Sequence, residues 1–190
     1  MESLYNYISK QMNLSQEAKE FIASISKVSF FEKDTVLLNQ GESVKKTYFV
    51  IDGCVRSFLE HENGKEHTLQ FAIKDWWISD FMGLFNHEVS SLTIECITDT
   101  TLVEFNLSDI EKIYTLFPEF EAFQRKNLER HINNLQKRIL NLLHLTANER
   151  YSNFLKQFPD VEKYAHNYHI ASYLGITQQS LSRIRSEKKL

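Results

Sequence analysis

The feature that most restricts this chain is a run of 27 residues, 119–145, that contains neither glycine nor proline. Such a run predicts one long helix from about Glu119 to Leu145. Within it Leu128, Ile132, Leu135, Ile139 and Leu142 recur at spacings of four and three. That is the a/d repeat of a coiled-coil seam. A second stripe of Phe120, Phe123 and Leu143 is placed to pack on the chain's own core. Two apolar stripes on one helix favour an intersubunit seam over packing within a single chain.

Ahead of this helix the periodicity is that of strands. Residues 2–25 read as one or two short helices, with Ser15 as an N-cap. From Val28 onward come the runs VSFFE, TVLLN, TYFVI, CVRSFLEH, HTLQFAI, WWIS, LTIECI and TLVEF. Turn residues separate them, among them Asp52-Gly53, Asn63-Gly64 and Lys74-Asp75. Short strands at this spacing predict a sandwich or barrel, and about eight of them fit a double-sheet jelly roll (a double-stranded β-helix). Asn63-Gly64 predicts a type I′ hairpin turn. A short helix follows from Ser108 to Tyr114. The fold class is therefore α+β.

Behind the long helix, TANERYSNFLKQF (146–158) predicts another helix capped by Thr146 or Asn148, broken at Pro159-Asp160. The stretch NYHIASYLGITQQSLSRIRSEKK (167–189) then reads as two short helices around Gly175. Glycine there supplies a left-handed C-cap, and Thr177 can cap the second helix. This is a helix-turn-helix pattern. Leu181 and Ile184 point inward; Thr177, Gln178, Gln179, Ser180, Ser182, Arg183 and Arg185 point outward, with Lys188 and Lys189 beyond them. Such side chains reach base edges and phosphates in a major groove. Three domains follow: a strand domain over 1–116, the long helix over 117–145, and a helix-turn-helix domain over 146–190.

Charge supports this division. The net charge of −3 hides 10 Lys/Arg against 18 Asp/Glu in residues 1–116, and 12 against 7 in residues 117–190. A polyanion would be repelled by the first part and tolerated by the second. No apolar run reaches the roughly 18 residues of a membrane span. The first fifteen residues lack the basic-then-apolar order of a secretory signal, so a cytoplasmic protein without membrane association is expected. Cys54 and Cys96 are isolated and predict packed thiols.

The whole order resembles the Crp/Fnr family of bacterial transcription regulators. The resemblance rests on KDTVLLNQGES (33–43), KKTYFVIDGCVRSFLEHENGKEHTLQF (45–71), FMGLF (81–85), the long helix, LTANERYSNFLKQFP (145–159) and YHIASYLGITQQSLSRIR (168–185). It implies a cyclic-nucleotide-binding-type jelly roll, a dimerisation helix and a DNA-binding helix-turn-helix. The implied partners are a second copy of the chain, two-fold symmetric double-stranded DNA, RNA polymerase and a small-molecule effector. The effector pocket it implies draws on Phe71, Trp77, Phe81, Met82, Gly83, Leu84, Ser90, Ser91 and Leu92.

This sequence departs from the family pattern in two places. Cyclic-nucleotide binders carry Gly-Glu and, further on, an Arg that pairs with the cyclic phosphate. Here Gly83 is followed by Leu84, the Arg position falls near Ser90-Ser91, and no Lys or Arg lies between Lys74 and Lys112. A phosphate without that charge-assisted partner is poorly held, so cAMP is not the expected ligand and no cofactor is assigned. The sequence also runs only five residues past Arg185, short of the β-hairpin wing that many members have. Cys54 and Cys96 cannot supply the cysteine set of the iron–sulphur members. The residues therefore predict a homodimeric DNA-binding regulator, not an enzyme, with degenerate cyclic-nucleotide contacts. Two alternatives stand beside it. One is a sensing or protein-interaction module without DNA activity. The other is a cupin-type metalloenzyme, which would need His-x-His with a nearby Glu; His61, His67 and His87 do not form that pattern, so no metal ligand is assigned.

Overall fold

The computed structural model describes residues 1–187. Two helices open the chain, α1 (Glu2–Ser9) and α2 (Gln16–Ile25). Ser15 caps α2 through its hydroxyl, which accepts the Ala18 N–H at 3.1 Å. The strands are β1 (Ser26–Phe31), β2 (Val36–Leu38), β3 (Lys46–Asp52), β4 (Val55–Glu60), β5 (Glu66–Ala72), β6 (Trp77–Ile78), β7 (Thr93–Cys96) and β8 (Thr100–Asn106). A short helix, α3 (Phe81–Asn86), lies between β6 and β7. They form two four-stranded antiparallel sheets, β1-β8-β3-β6 and β2-β7-β4-β5. The structure is thus mixed α+β with a jelly-roll sandwich, as the strand pattern predicted.

The central strands of the first sheet, β3 and β8, are buried on both faces, which explains their nearly continuous apolar runs. Tyr48, Val50, Ile78 and Leu102 turn inward onto Val55, Ala72, Ile94 and Cys96 of the second sheet. Phe49, Val103 and Phe105 turn outward and pack with Leu4, Tyr7 and Ile22 of the N-terminal helices. Strand alternation sends successive residues to opposite faces, and here both faces find apolar cover.

The β4–β5 hairpin differs from expectation. Glu60 pairs with Glu66, and the Gly64 N–H donates to the His61 carbonyl at 2.8 Å. The β-turn therefore starts one residue earlier than a two-residue loop allows. Gly64 has φ +75°, whereas Asn63 is not left-handed, so this is no type I′ turn. The geometry is a three-residue loop with a left-handed glycine after the turn. The Asn63 side chain accepts the Lys65 N–H at 3.0 Å and holds the loop in that form.

The helical half comprises α4 (Leu107–Leu116), α5 (Glu119–His144), α6 (Ala147–Gln157), α7 (Val161–Tyr164), α8 (Asn167–Leu174) and α9 (Gln178–Glu187). The 26 residues of α5 span about 39 Å at 1.5 Å per residue. Phe120 and Phe123 are buried against the N-terminal helices and the first sheet. Leu143, expected to share that stripe, is 77 % exposed instead. Near the end of α5 the sandwich no longer lies beneath that face. Among the seam residues Ile132, Ile139 and Leu142 are exposed and Leu128 and Leu135 half-buried. Thr146 begins α6 with a capping box: its hydroxyl accepts the Glu149 N–H, and the Glu149 carboxylate accepts the Thr146 N–H at 2.8 Å.

The outer face of the second sheet is covered by the C-terminal helices. Phe71 lies 5.9 Å from both Phe154 and Phe158 and 5.4 Å from Tyr173, ring centre to ring centre. Phe71 is therefore an interdomain packing residue and not part of an effector pocket. The family resemblance placed it in the pocket; only the tertiary fold determines what covers that face of β5. The same docking caps the free edge of the sheet. Ser172 of α8 accepts the Thr68 N–H and donates to the Glu66 carbonyl, both at 2.8 Å. Arg138 of α5 donates to the carbonyls of Thr68 and Tyr173, each at 3.0 Å. Among the described residues no helix is long and apolar enough to cross a membrane.

Candidate functional site

The C-terminal site is built by Gly175. Its φ of +67° ends α8, and the Ile176 N–H returns to the Ala171 carbonyl at 3.0 Å. A left-handed residue with this back-bond is the usual glycine stop, and it turns the chain sharply into the next helix. Thr177 then caps α9, its hydroxyl accepting the Ser180 N–H at 3.1 Å. Leu181 and Ile184 are buried against Ile170, Leu174, Tyr151 and Phe154. Anchored in this way, α9 leaves Thr177, Gln178, Gln179, Ser182 and Arg183 exposed, with Ser180 half-buried.

Arg185 departs from the expected outward set. Its Nε lies 2.6 Å from Glu162 Oε1, and its guanidinium also donates to Asn167 Oδ1 and the Tyr151 hydroxyl. The side chain is turned back onto α6, α7 and α8 rather than toward a ligand. The ion-pair partner lies 23 residues upstream, so local helix spacing gave no sign of it. Lys188 and Lys189 lie outside the described residues.

In the strand domain, the residues of the expected phosphate site engage one another. Asp80 is buried at the start of α3. Its Oδ1 accepts the N–H groups of Met82 and Gly83, both at 3.1 Å. Its Oδ2 accepts the Ser90 hydroxyl at 3.0 Å, the Ser91 N–H at 2.9 Å and the Ser91 hydroxyl at 3.2 Å. Burial alone would raise its pKa. The donors from Gly83, Ser90 and Ser91 outweigh this and hold the carboxyl below its usual range. The donors around α3 are thus taken up by a carboxylate of the chain itself. Gly83 is packed so closely that an added Cβ would lie 2.7 Å from Val44 Cγ2. Met82 is exposed and Leu92 half-buried.

Trp77, Phe81 and Leu84, three of the expected pocket residues, line a cavity of about 450 Å³. It is lined by residues of α1, α3, α4 and α5 together with Thr47, Phe105 and Gln70 of the strands. Tyr7, Asn127 and His131 share its lining and were not foreseen. Asn127 and His131 stand four residues apart on α5, a polar pair beside an apolar stripe that could have signalled a cavity wall; Tyr7 gave no local sign. Burial pushes His131 below its ordinary pKa, so it is neutral at pH 7. Cys54 and Cys96 are buried free thiols, with burial raising Cys96 to about 11, so neither is a ready nucleophile.

With this geometry in view, comparison with known proteins is informative. Residues 28–115 match the family model of the cyclic nucleotide-binding domain. In fold the chain as a whole is similar to regulators of the Crp/Fnr family. It is 24 % identical over 166 residues to the transcriptional activator protein FnrA of Stutzerimonas stutzeri, covering 80 % of this chain and 66 % of that one. Its fold is similar to FixK2 from Bradyrhizobium japonicum, with TM-score 0.73 and 22 % identity over 86 % of this chain and 84 % of that one. A Crp/Fnr family regulator from Eubacterium rectale gives TM-score 0.72 and 17 % identity over 94 % and 85 %.

Proposed function

We propose that this chain is a homodimeric, DNA-binding transcription regulator of the cytoplasm whose sensor domain has given up the cyclic-nucleotide phosphate contact. The observation that carries the reading is the exposed face of α9. Gln178, Gln179, Ser182 and Arg183 project from a helix whose opposite side is anchored by Leu181 and Ile184. Gln pairs well with adenine edges and Arg with guanine. The exposed apolar side chains of α5, Ile132, Ile139 and Leu142, favour a second copy of the chain as the cover for this helix. Two recognition helices would then sit about one DNA turn apart, roughly 34 Å, on a two-fold symmetric site. Residues 1–116 serve as sensor, 117–145 as dimer helix and 146–190 as DNA-binding domain. RNA polymerase and a small-molecule effector complete the proposed partners, and no enzymatic step is assigned.

Asp80 supports the loss of phosphate binding. An incoming cyclic phosphate would have to displace a carboxylate with five hydrogen-bond donors, and Ser90 offers no compensating cation. The test is selection of bound sequences from random DNA at one stated salt concentration, with and without cAMP. A symmetric site enriched equally in both supports the reading. Enrichment only with cAMP overturns the reading of Asp80. No enrichment in either overturns DNA binding by this chain alone.

A further inference from the structure

We propose that the cleft between α5 and α6 is a binding site for a small polyphosphate anion. The proposal goes beyond the regulator reading and does not depend on it. The cleft has a volume of about 440 Å³, within the ~300–1,000 Å³ range of small-molecule sites. Its walls are the C-terminal half of α5, one side of α6 and the end of α8, and none of its lining residues belongs to a strand. It is thus a separate place from the cavity beside α3.

Charge defines what must enter. Lys137 and Arg138 of α5 and Arg150 and Lys156 of α6 line the cleft, and no Asp or Glu does. Elsewhere arginines of this chain are matched by carboxylates: Arg56 by Glu66 and Glu95, at 2.6 Å each, and Arg185 by Glu162 at 2.6 Å. None of the four cleft cations has a carboxylate partner among the described residues. Carbonyls hold the two guanidinium groups in place without cancelling their charge. Arg138 donates to Thr68 and Tyr173, and Arg150 donates to Leu174 through Nε at 3.0 Å and to Leu145 through Nη1 at 2.6 Å. Burial pulls Arg138 below its ordinary pKa, as it does for a desolvated cation without a counter-ion. Lys137 and Lys156 are exposed, so their side chains are free to close on a ligand.

Like charges around one cleft repel one another, and an anion seated among them removes that repulsion. A single carboxylate would offset only one of the four. Linked phosphates bring several charges in a small volume, and both guanidinium and ammonium groups bind them well. The uncharged polar lining is amide, with Asn134 and Asn141 on α5 and Asn153 and Gln157 on α6, and amide N–H groups donate to phosphate oxygens too. The DNA backbone offers the same phosphates but a poorer fit, because a duplex is far broader than a cleft of this volume. No residue of α9 lines the cleft. Arg150, Asn153 and Gln157 also lie on a different face of α6 from Tyr151, whose hydroxyl accepts from Arg185 of α9. The cations come from both sides of the junction at Leu145-Thr146, so a bound anion would tie the long helix to the C-terminal domain.

The probe is sodium tripolyphosphate, titrated by calorimetry into the full chain without DNA, with ionic strength held constant by sodium chloride. The expected result is saturable binding of a single probe per chain. Lys137→Gln and Lys156→Gln should each weaken it about tenfold, the loss of one charge-assisted contact, with circular dichroism unchanged. Arg183→Gln on α9 should leave it unchanged. A second readout does not depend on a variant. Bound probe should protect Lys137 and Lys156 from acetylation by N-acetoxysuccinimide, read by mass spectrometry, and should leave the exposed Lys45 and Lys65 as reactive as before. Non-saturable binding overturns the proposal, as does an equal loss in Arg183→Gln or a lack of protection at Lys137 and Lys156. Displacement of the probe by a DNA duplex, with duplex binding weakened in both lysine variants, would assign the cleft to the DNA backbone and overturn it as well. Probe binding and protection are read without DNA, so a failed DNA selection and a failed anion site are separate results.

Discussion

Arg185 Nε sits 2.6 Å from Glu162 Oε1, so this arginine holds the C-terminal domain together while its neighbour two residues back, Arg183, faces solvent. The two should separate cleanly. Arg183→Ala is expected to weaken specific DNA binding by about 1–3 kcal/mol and to leave the urea midpoint unchanged. Arg185→Ala should lower stability by about 1 kcal/mol, a modest figure because the pair is partly exposed, and should change base preference little. Urea melts alongside DNA titrations at fixed salt would show it. A reversed pattern would remove α9 as the reading helix.

Asp80 predicts an acid-labile sensor. Its folded pKa is lowered, so its contribution is complete above the unfolded value of about 3.9. It is lost as pH falls through the lower folded value. Asp80→Asn cannot accept the donors of both serines. It should cost about 1–3 kcal/mol at pH 7 and flatten the acid limb of the stability curve below about pH 4, the range of an unfolded carboxyl. Denaturant titrations at stepped pH would detect this; an unchanged slope in the variant would remove Asp80 from that role.

His169 predicts a second, milder pH effect. It is buried, and its pKa is pushed down to about 3, first by burial and then by the nearby Arg56, His166 and Lys33. The unfolded chain takes up a proton near pH 6.5 that the folded chain refuses. Stability should therefore be full above pH 6.5 and fall by about 1.4 kcal/mol per pH unit below it. His169→Phe should reduce this slope between about pH 6.5 and 5, leaving the part that comes from buried His131. Thermal melts across that range give the comparison.

Gly175 cannot be replaced without strain. Alanine at φ +67° should cost about 1–2 kcal/mol. Its Cβ would also stand 3.1 Å from Leu142 Cδ2 of the long helix. Leu142→Ala in the Gly175→Ala background should relieve part of that cost, which a double-mutant cycle of urea melts would measure.

The seam is tested by charge. Ile132→Asp with Ile139→Asp should convert a dimer to a monomer in sedimentation, with circular dichroism unchanged, because both side chains are exposed in the single chain. A wild-type monomer would end the dimer reading.

How far the sequence could be read depended on the range of the interaction. Short β-rich runs between turn residues marked β3, β4 and β8, and Ser15, Thr146, Gly175 and Thr177 marked helix ends, because each acts within a few residues. Asp80 meets Ser90 and Ser91 only through the fold around α3, and nothing in the spacing of three polar residues announces a shared carboxylate. Phe71 was assigned to a pocket through the family resemblance, and nothing in its local sequence shows that the C-terminal helices cover it. The hairpin turn was mistaken by one residue because the Asn63 side chain adds a bond to the Lys65 N–H that favours the three-residue loop.

The capped edge of β5 bears on how the protein can be taken apart. A sensor fragment ending near residue 145 would present an unpaired strand at Glu66 and Thr68 beside the bare ring of Phe71. Such an edge invites strand addition by another molecule. The C-terminal helices therefore act as a built-in chaperone for the sandwich, and the sensor is best expressed and studied with residues 146–190 attached.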